Sequence, residues 1–182
     1  LVGRGFHEVL HYTLREASES AVWAPETDPD MLALANPLAS DASHLRCSLL
    51  PGLLDCLRLN RSRHNAPSRY FECGRIFHRL GERLHELFSV AFVVPQDAGT
   101  GWREGPPADY YEAAALVRDL FSAAGLCPRN ADFQALSGDP AWQEGHAACS
   151  GNLVDGYAAQ CGILNLALTR QHDLDSPVMA GS

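Results

Sequence analysis

The residues able to do chemistry are scattered along the chain. Histidines stand four apart at His7 and His11, and seven apart at His78 and His85. On a helix the first pair would share a face and could hold a metal. The surrounding run GFHEVLHYTL reads instead as a strand, where positions i and i+4 lie about 13 Å apart. Both are therefore expected as half-exposed strand histidines. Gly3 and Gly5 imitate the opening of a nucleotide loop, but they precede a strand and do not join a strand to a helix. Asp28 with Asp30, and Asp139 before Pro140, are turn residues by type. The six cysteines (47, 56, 73, 127, 149 and 161) show no CxxC and no zinc spacing, and read as free buried thiols. There is no GxSxG, no Walker loop and no HExxH. Taken alone, the residues mark no active site and no metal site.

Charge narrows the function classes. The net charge is -8, and all fourteen basic residues are arginine. Broad, non-specific nucleic-acid binding needs a basic face to displace counterions, which an acidic chain lacks. Seven of the arginines lie between Arg58 and Arg83. This stretch reads either as a solvated helix end and loop or as a local nucleic-acid patch. The 182 residues, 46% apolar and 20% charged, suit one domain. No apolar run approaches the ~20 residues of a membrane span. The first residues have no signal-peptide layout and read as the tail of a helix, so a piece of a longer cytoplasmic protein is expected.

The elements follow from periodicity. Residues 5–14, 31–35, 69–79, 87–94, 132–136, 146–149, 157–164 and 177–180 read as strands, with 87–94 apolar on both faces and hence central. Leu50, Leu53, Leu54 and Leu57 recur at i, i+3, i+4 and i+7, with Pro51 suited to a first turn, and predict a helix with one buried stripe. Asp109 with Glu112 forms a capping box for a second helix, whose inner stripe is Ala113, Val117, Leu120, Phe121 and Ala124 and whose stop is Gly125. Short helical pieces are predicted at 17–21 and 169–174. Strands joined by short turns favour an α+β domain with a mostly antiparallel sheet.

Four stretches, in order, resemble the beta subunit of bacterial phenylalanyl-tRNA synthetase. The first is Gly3-Arg4-Gly5-Phe6-His7-Glu8-Val9 with Tyr12. The second runs from Asn36-Pro37-Leu38 through Arg46-Cys47-Ser48-Leu49-Leu50-Pro51-Gly52-Leu53-Leu54 to Asn60 and Arg63. The third is Phe71-Glu72-Cys73-Gly74-Arg75-Ile76-Phe77, and the fourth Asp109-Tyr110-Tyr111-Glu112. Weaker echoes follow at Gly145-His146-Ala147-Ala148, where the family often has Gly-Arg-Ser-Ala, and at residues 155–162. The resemblance covers nearly the whole chain.

It implies a class II aminoacyl-tRNA synthetase fold, a six-stranded antiparallel sheet flanked by helices, as a single core domain over residues 1–182. It also implies a non-catalytic role beside a catalytic alpha subunit in an (αβ)₂ assembly that charges tRNA(Phe). ATP and magnesium would belong to the whole enzyme and no cofactor to this domain. Gly5, Phe6, Glu8, Val9 and Tyr12 sit where class II enzymes carry the interface-building motif 1. They are interface candidates together with Leu50, Leu53, Leu54 and Leu57, whose alternative is ordinary core. Arg46, Ser48, Glu72, Gly74 and Arg75 resemble the flanks of motif 2 and are expected as structural residues. His78-Arg79 stands near the place of the catalytic arginine, and residues 162–168 lack the glycine-rich, arginine-bearing motif 3. Phosphate activation needs cations where charge develops, so the domain is expected to be inactive. The alternative is a divergent adenylate-forming enzyme using Arg75 or Arg79.

Overall fold

A computed structural model describes residues 1–23, 32–80, 83–98, 109–126, 133–152 and 157–182. The turn at 28–30, Met31, Trp102, the helix stop at 127–128 and the turn at 155–156 lie outside the described residues, as does the Arg79 side chain.

Nine strands and four helices are described. They are β1 (Phe6–Glu8), β2 (Leu14–Arg15), α1 (Ser20–Trp23), β3 (His44–Leu45), α2 (Leu50–Ser62), β4 (Arg69–Leu80), β5 (Arg83–Pro95), α3 (Tyr110–Ala123), β6 (Gln134–Ala135), β7 (Trp142–Asn152), β8 (Tyr157–Leu164), α4 (Leu166–Gln171) and β9 (Val178–Gly181). The main sheet runs β1-β4-β5-β9-β8-β7-β6, and β2 pairs with β3 separately. Every pairing in the main sheet is antiparallel except β1 with β4. The sheet thus has seven strands where the resemblance implies six. The two-residue β6 at one edge is short enough to account for the difference.

The strands alternate their side chains between two covered faces. On one face α2 lays its leucines over Tyr70, Ala91, Val93, Trp142, Leu164, Val178 and Ala180. On the other, α3 covers Phe6, Phe71, Phe92, Val94, Cys161 and Met179. Neighbours along one strand, such as Phe92 and Val93, therefore belong to opposite clusters, which makes β5 apolar on both sides. Each leucine of α2 so buried stabilises the fold by roughly 1.5–3 kcal/mol.

The helix ends obey their sequence signals. The Asp109 carboxylate accepts from the Glu112 N–H at 2.9 Å, satisfying one orphan donor of α3. The reciprocal half of the box is absent, because Glu112 turns to pair with Arg69 at 2.5 Å. At the other end Leu126 N–H reaches the Phe121 carbonyl, Gly125 N–H reaches Ser122, and Gly125 has φ +71°, a left-handed stop that favours glycine. The buried side of α3 is Ala113, Ala114, Leu116, Val117 and Phe121. Leu120 is only half-buried and Ala124 exposed, since the cap carries the last turn off the sheet. The predicted helical turn at 169–174 begins earlier, at Leu166, where the Asn165 side chain caps Ala167 N–H.

The predicted strand over residues 5–14 is broken in two. Its ladder ends where Val9 N–H bonds the Phe71 carbonyl. Two residues later the His11 N–H goes to a side chain, the Glu72 carboxylate, in place of a neighbouring strand.

Candidate functional site

Glu72 is a carboxylate set between Phe71 and Cys73 on β4, and it is wholly buried. Burying a charge is costly unless it is paired and hydrogen-bonded, and here it is both. Arg46 Nη1 donates to Glu72 Oε1 at 2.6 Å, and the His11 ring nitrogen Nδ1 meets Oε2 at 2.6 Å. The His11 backbone N–H adds a third bond at 3.3 Å. The remaining reach of Arg46 is spent on backbone: Nε donates to the Arg75 carbonyl at 2.8 Å and Nη1 to the His11 carbonyl at 3.3 Å. The main chain of Arg46 is tied on both sides as well, its N–H to Thr13 and its carbonyl to Phe77. One arginine thus cross-ties three stretches of chain.

The titration behaviour follows from this geometry. Burial alone would raise the Glu72 carboxyl, but hydrogen bonds from His11 and Arg46 outweigh it and hold it below the usual carboxylate range. His11 is pushed up to about 9, by hydrogen bonds to the Cys56 sulfur and to Glu72, with burial opposing. At neutral pH the cluster is an imidazolium and a guanidinium sharing one carboxylate.

Two glycines of the sequence signatures exist to make room for it. A Cβ at Gly52 would stand 2.8 Å from the His11 ring, and one at Gly74 would meet the Arg46 guanidinium. Arg46, Gly52, Glu72 and Gly74, drawn from two separate signatures, therefore converge on one buried clamp. Ser48 serves the same region differently, its hydroxyl accepting from the Leu50 N–H at 3.1 Å at the start of α2.

The other expected site residues scatter. Arg75 lies exposed on the opposite face of the β4–β5 hairpin and pairs with Glu86 at 3.1 Å. Phe6 is buried in the α3-side core, with Arg69 over its ring. Leu50, Leu53, Leu54 and Leu57 are buried beneath α2, so their side chains face this chain's own core and offer no surface to a partner. Gly5 and Glu8 are exposed, and Val9 packs half-buried against the α2-side core. Tyr12 is 90% exposed and its near neighbour Leu10 83%. His78 is half-buried, and burial lowers its pKa.

Sequence reasoning missed His11. It is not a half-exposed strand histidine; it leaves the strand and enters the clamp, 61 residues from its partner. The one signal in the sequence was a glutamate placed between Phe71 and Cys73 in a predicted strand, a position whose burial would demand cations from elsewhere. A second ionic group lines an open cleft of about 520 Å³. There Asp55 accepts from Arg15 at 2.6 Å and from His172 at 3.1 Å, and Arg15 also grips Glu19. Burial would raise Asp55, but His172 and Arg15 hold it down near 2.

The fold has known counterparts. Two solved structures of pyrrolysyl-tRNA synthetase from Desulfitobacterium hafniense align with 97% of this chain, at TM-scores of 0.63 and 0.65, covering 59% and 60% of those chains at 17% and 19% identity. The architecture is that of a class II aminoacyl-tRNA synthetase core. Within that class, the chain belongs to the family of the phenylalanyl tRNA synthetase beta chain CLM domain, whose model matches residues 1–181. This is the family that the four sequence stretches resemble. A phenylalanine–tRNA ligase beta subunit from Novosphingobium aromaticivorans is 34% identical over 180 residues, 96% of this chain and 22% of that protein. One from Pseudomonas putida is 31% identical over 184 residues, 98% of this chain and 22% of that protein. The chain spans about a fifth of the length of these relatives.

Proposed function

We propose that this chain is a non-catalytic core domain of a phenylalanine–tRNA ligase beta subunit, supporting a catalytic alpha subunit in an (αβ)₂ assembly. On this reading the whole enzyme works in the cytoplasm, uses ATP and magnesium, and charges tRNA(Phe). Among the described residues no helix is long and apolar enough to cross a membrane.

The observation that carries the non-catalytic part is the fate of the signature arginines. A guanidinium that neutralises phosphate must present free N–H groups to it. Arg46 is buried and committed to Glu72 and two carbonyls. Arg75 stands on the surface beside Glu86, and burial disfavours the charged form of His78. The α2 face of the sheet is filled by Leu53, Tyr70, Val93 and their neighbours. These residues do not fit a triphosphate.

The partner surface falls to the motif-1-like segment. Leu10 and Tyr12 are exposed there, and Phe88, 68% exposed, adds apolar surface opposite Arg75 on the β4–β5 hairpin. On this reading Leu10 and Tyr12, exposed two residues apart, form part of the surface that meets the alpha subunit. Nothing observed favours the adenylate-forming alternative. Co-expression with a phenylalanyl-tRNA synthetase alpha subunit tests the assembly: co-purification is expected, and a well-folded chain that fails to associate overturns the reading. Exchange of pyrophosphate into ATP by the chain alone, dependent on phenylalanine, would overturn its non-catalytic part.

A further inference from the structure

We infer that Cys56 is a modification site, the thiol of this chain that exchanges first with a low-molecular-weight disulfide. The inference stands apart from the assembly proposed above. What carries it is a nucleophile, a cation and an orienting carboxylate in a row. Glu72 Oε2 holds the His11 ring by Nδ1 at 2.6 Å, which leaves Nε2 as the ring's other donor. The ring lies against the α2 backbone at Gly52, where a Cβ would stand 2.8 Å from it. Cys56 is one turn further along the same face of α2, and its sulfur is a hydrogen-bond partner of the ring. A second donor comes from the next turn. Asn60 Nδ2 reaches the Cys56 sulfur at 3.5 Å while it bonds the Cys56 carbonyl at 2.9 Å. An imidazolium and an amide N–H aimed at one sulfur stabilise negative charge there, and negative sulfur is the attacking form.

Three of the other described thiols are in the opposite situation. Burial pushes Cys47 and Cys161 up to about 12 and Cys73 upward. In the exchange the Cys56 sulfur attacks one sulfur of the disulfide. The new S–S bond forms as the old one breaks, and the departing thiolate takes up a proton from water. Cys56 is oxidised to a mixed disulfide, and half of the reagent is reduced to a thiol. The His11 ring has no room to retreat from the added group, because it already lies against Gly52. The adduct therefore draws His11 away from Glu72, and a reducing thiol restores the clamp.

Incubation of the chain with oxidised glutathione at pH 7, with adducts located by peptide mass spectrometry over time, tests this. One glutathione on Cys56, formed before any on another cysteine, is expected. The adduct should melt at a lower temperature than the untreated chain, and dithiothreitol should restore the midpoint. His11→Gln, shown by circular dichroism to be folded, should slow the Cys56 reaction about threefold to tenfold, the loss of one charge-assisted hydrogen bond being partly offset by the stronger nucleophilicity of a more basic thiol. Loosening of the structure alone would act the other way and speed the reaction. An unchanged or faster rate in folded His11→Gln therefore overturns the inference, as does earlier modification of another cysteine or the absence of any adduct in the wild type. An adduct that leaves the midpoint unmoved overturns the displacement of His11. If His11→Gln does not fold, Asn60→Ala takes its place by removing the second donor. A smaller slowing is then expected, and an unchanged or faster rate again overturns the inference.

Discussion

Arg46 and Arg75 come from adjoining sequence signatures and end in opposite surroundings. Arg46 is buried, its donors divided between Glu72 and two backbone carbonyls. Arg75 stands in water, and only its carbonyl, accepting from Arg46, takes part in the clamp. The same side chain is thus a structural cross-tie in one place and a solvated surface charge in the other. A signature arginine does not announce phosphate chemistry; its hydrogen-bond partners decide.

The contrast can be broken from the buried side first. Replacing Glu72 by Ala leaves a guanidinium and an imidazolium without their counter-charge, a loss on the order of 3–5 kcal/mol. Urea denaturation should show a correspondingly lower midpoint, or an unfolded chain. Gly74→Ala attacks the same clamp sterically, since its Cβ meets the Arg46 guanidinium. It should cost about 1–3 kcal/mol as the buried pair is pushed from its geometry.

Proton linkage sharpens the same point. His11 titrates near 9 when folded against 6.5 ordinarily, so its contribution is full below pH 6.5. It is lost as pH rises through about 9. At most roughly 3 kcal/mol follows from a shift of this size. Urea midpoints measured at pH 6.5 and pH 9.5 should separate in the wild type and draw together in His11→Gln. Ser48→Ala removes the hydroxyl that accepts from Leu50 N–H and should cost about 1 kcal/mol. Arg75→Ala is the smallest change, within about 0.5 kcal/mol, because an exposed pair is screened by water and salt. A large loss there would erase the contrast between the two arginines.

The legible parts of the fold were those governed by local rules. The leucine spacing announced α2 and its buried stripe, and Asp109 with Gly125 marked the two ends of α3. The apolar run at 87–94 announced a central strand. Errors arose where a distant group replaced a local one. The strand over 5–14 breaks because Glu72, far along the chain, takes the His11 N–H. Glu112 leaves its capping box because Arg69 is nearer in space. The interface candidates divide for the same reason: Phe6 and the α2 leucines went into the core, while Tyr12 stayed outside.

By itself the sequence determined the two long helices, the long interior strands, the family, and the presence of a glutamate between Phe71 and Cys73 and of glycines at fixed places. Periodicity and capping act over a few residues, and a linear pattern carries them in full. Only the tertiary structure decided that His11, Arg46, Gly52, Glu72 and Gly74 meet. That meeting depends on how a parallel edge strand, a helix and a hairpin stack on one another, and a buried charge chooses its partners by proximity in space.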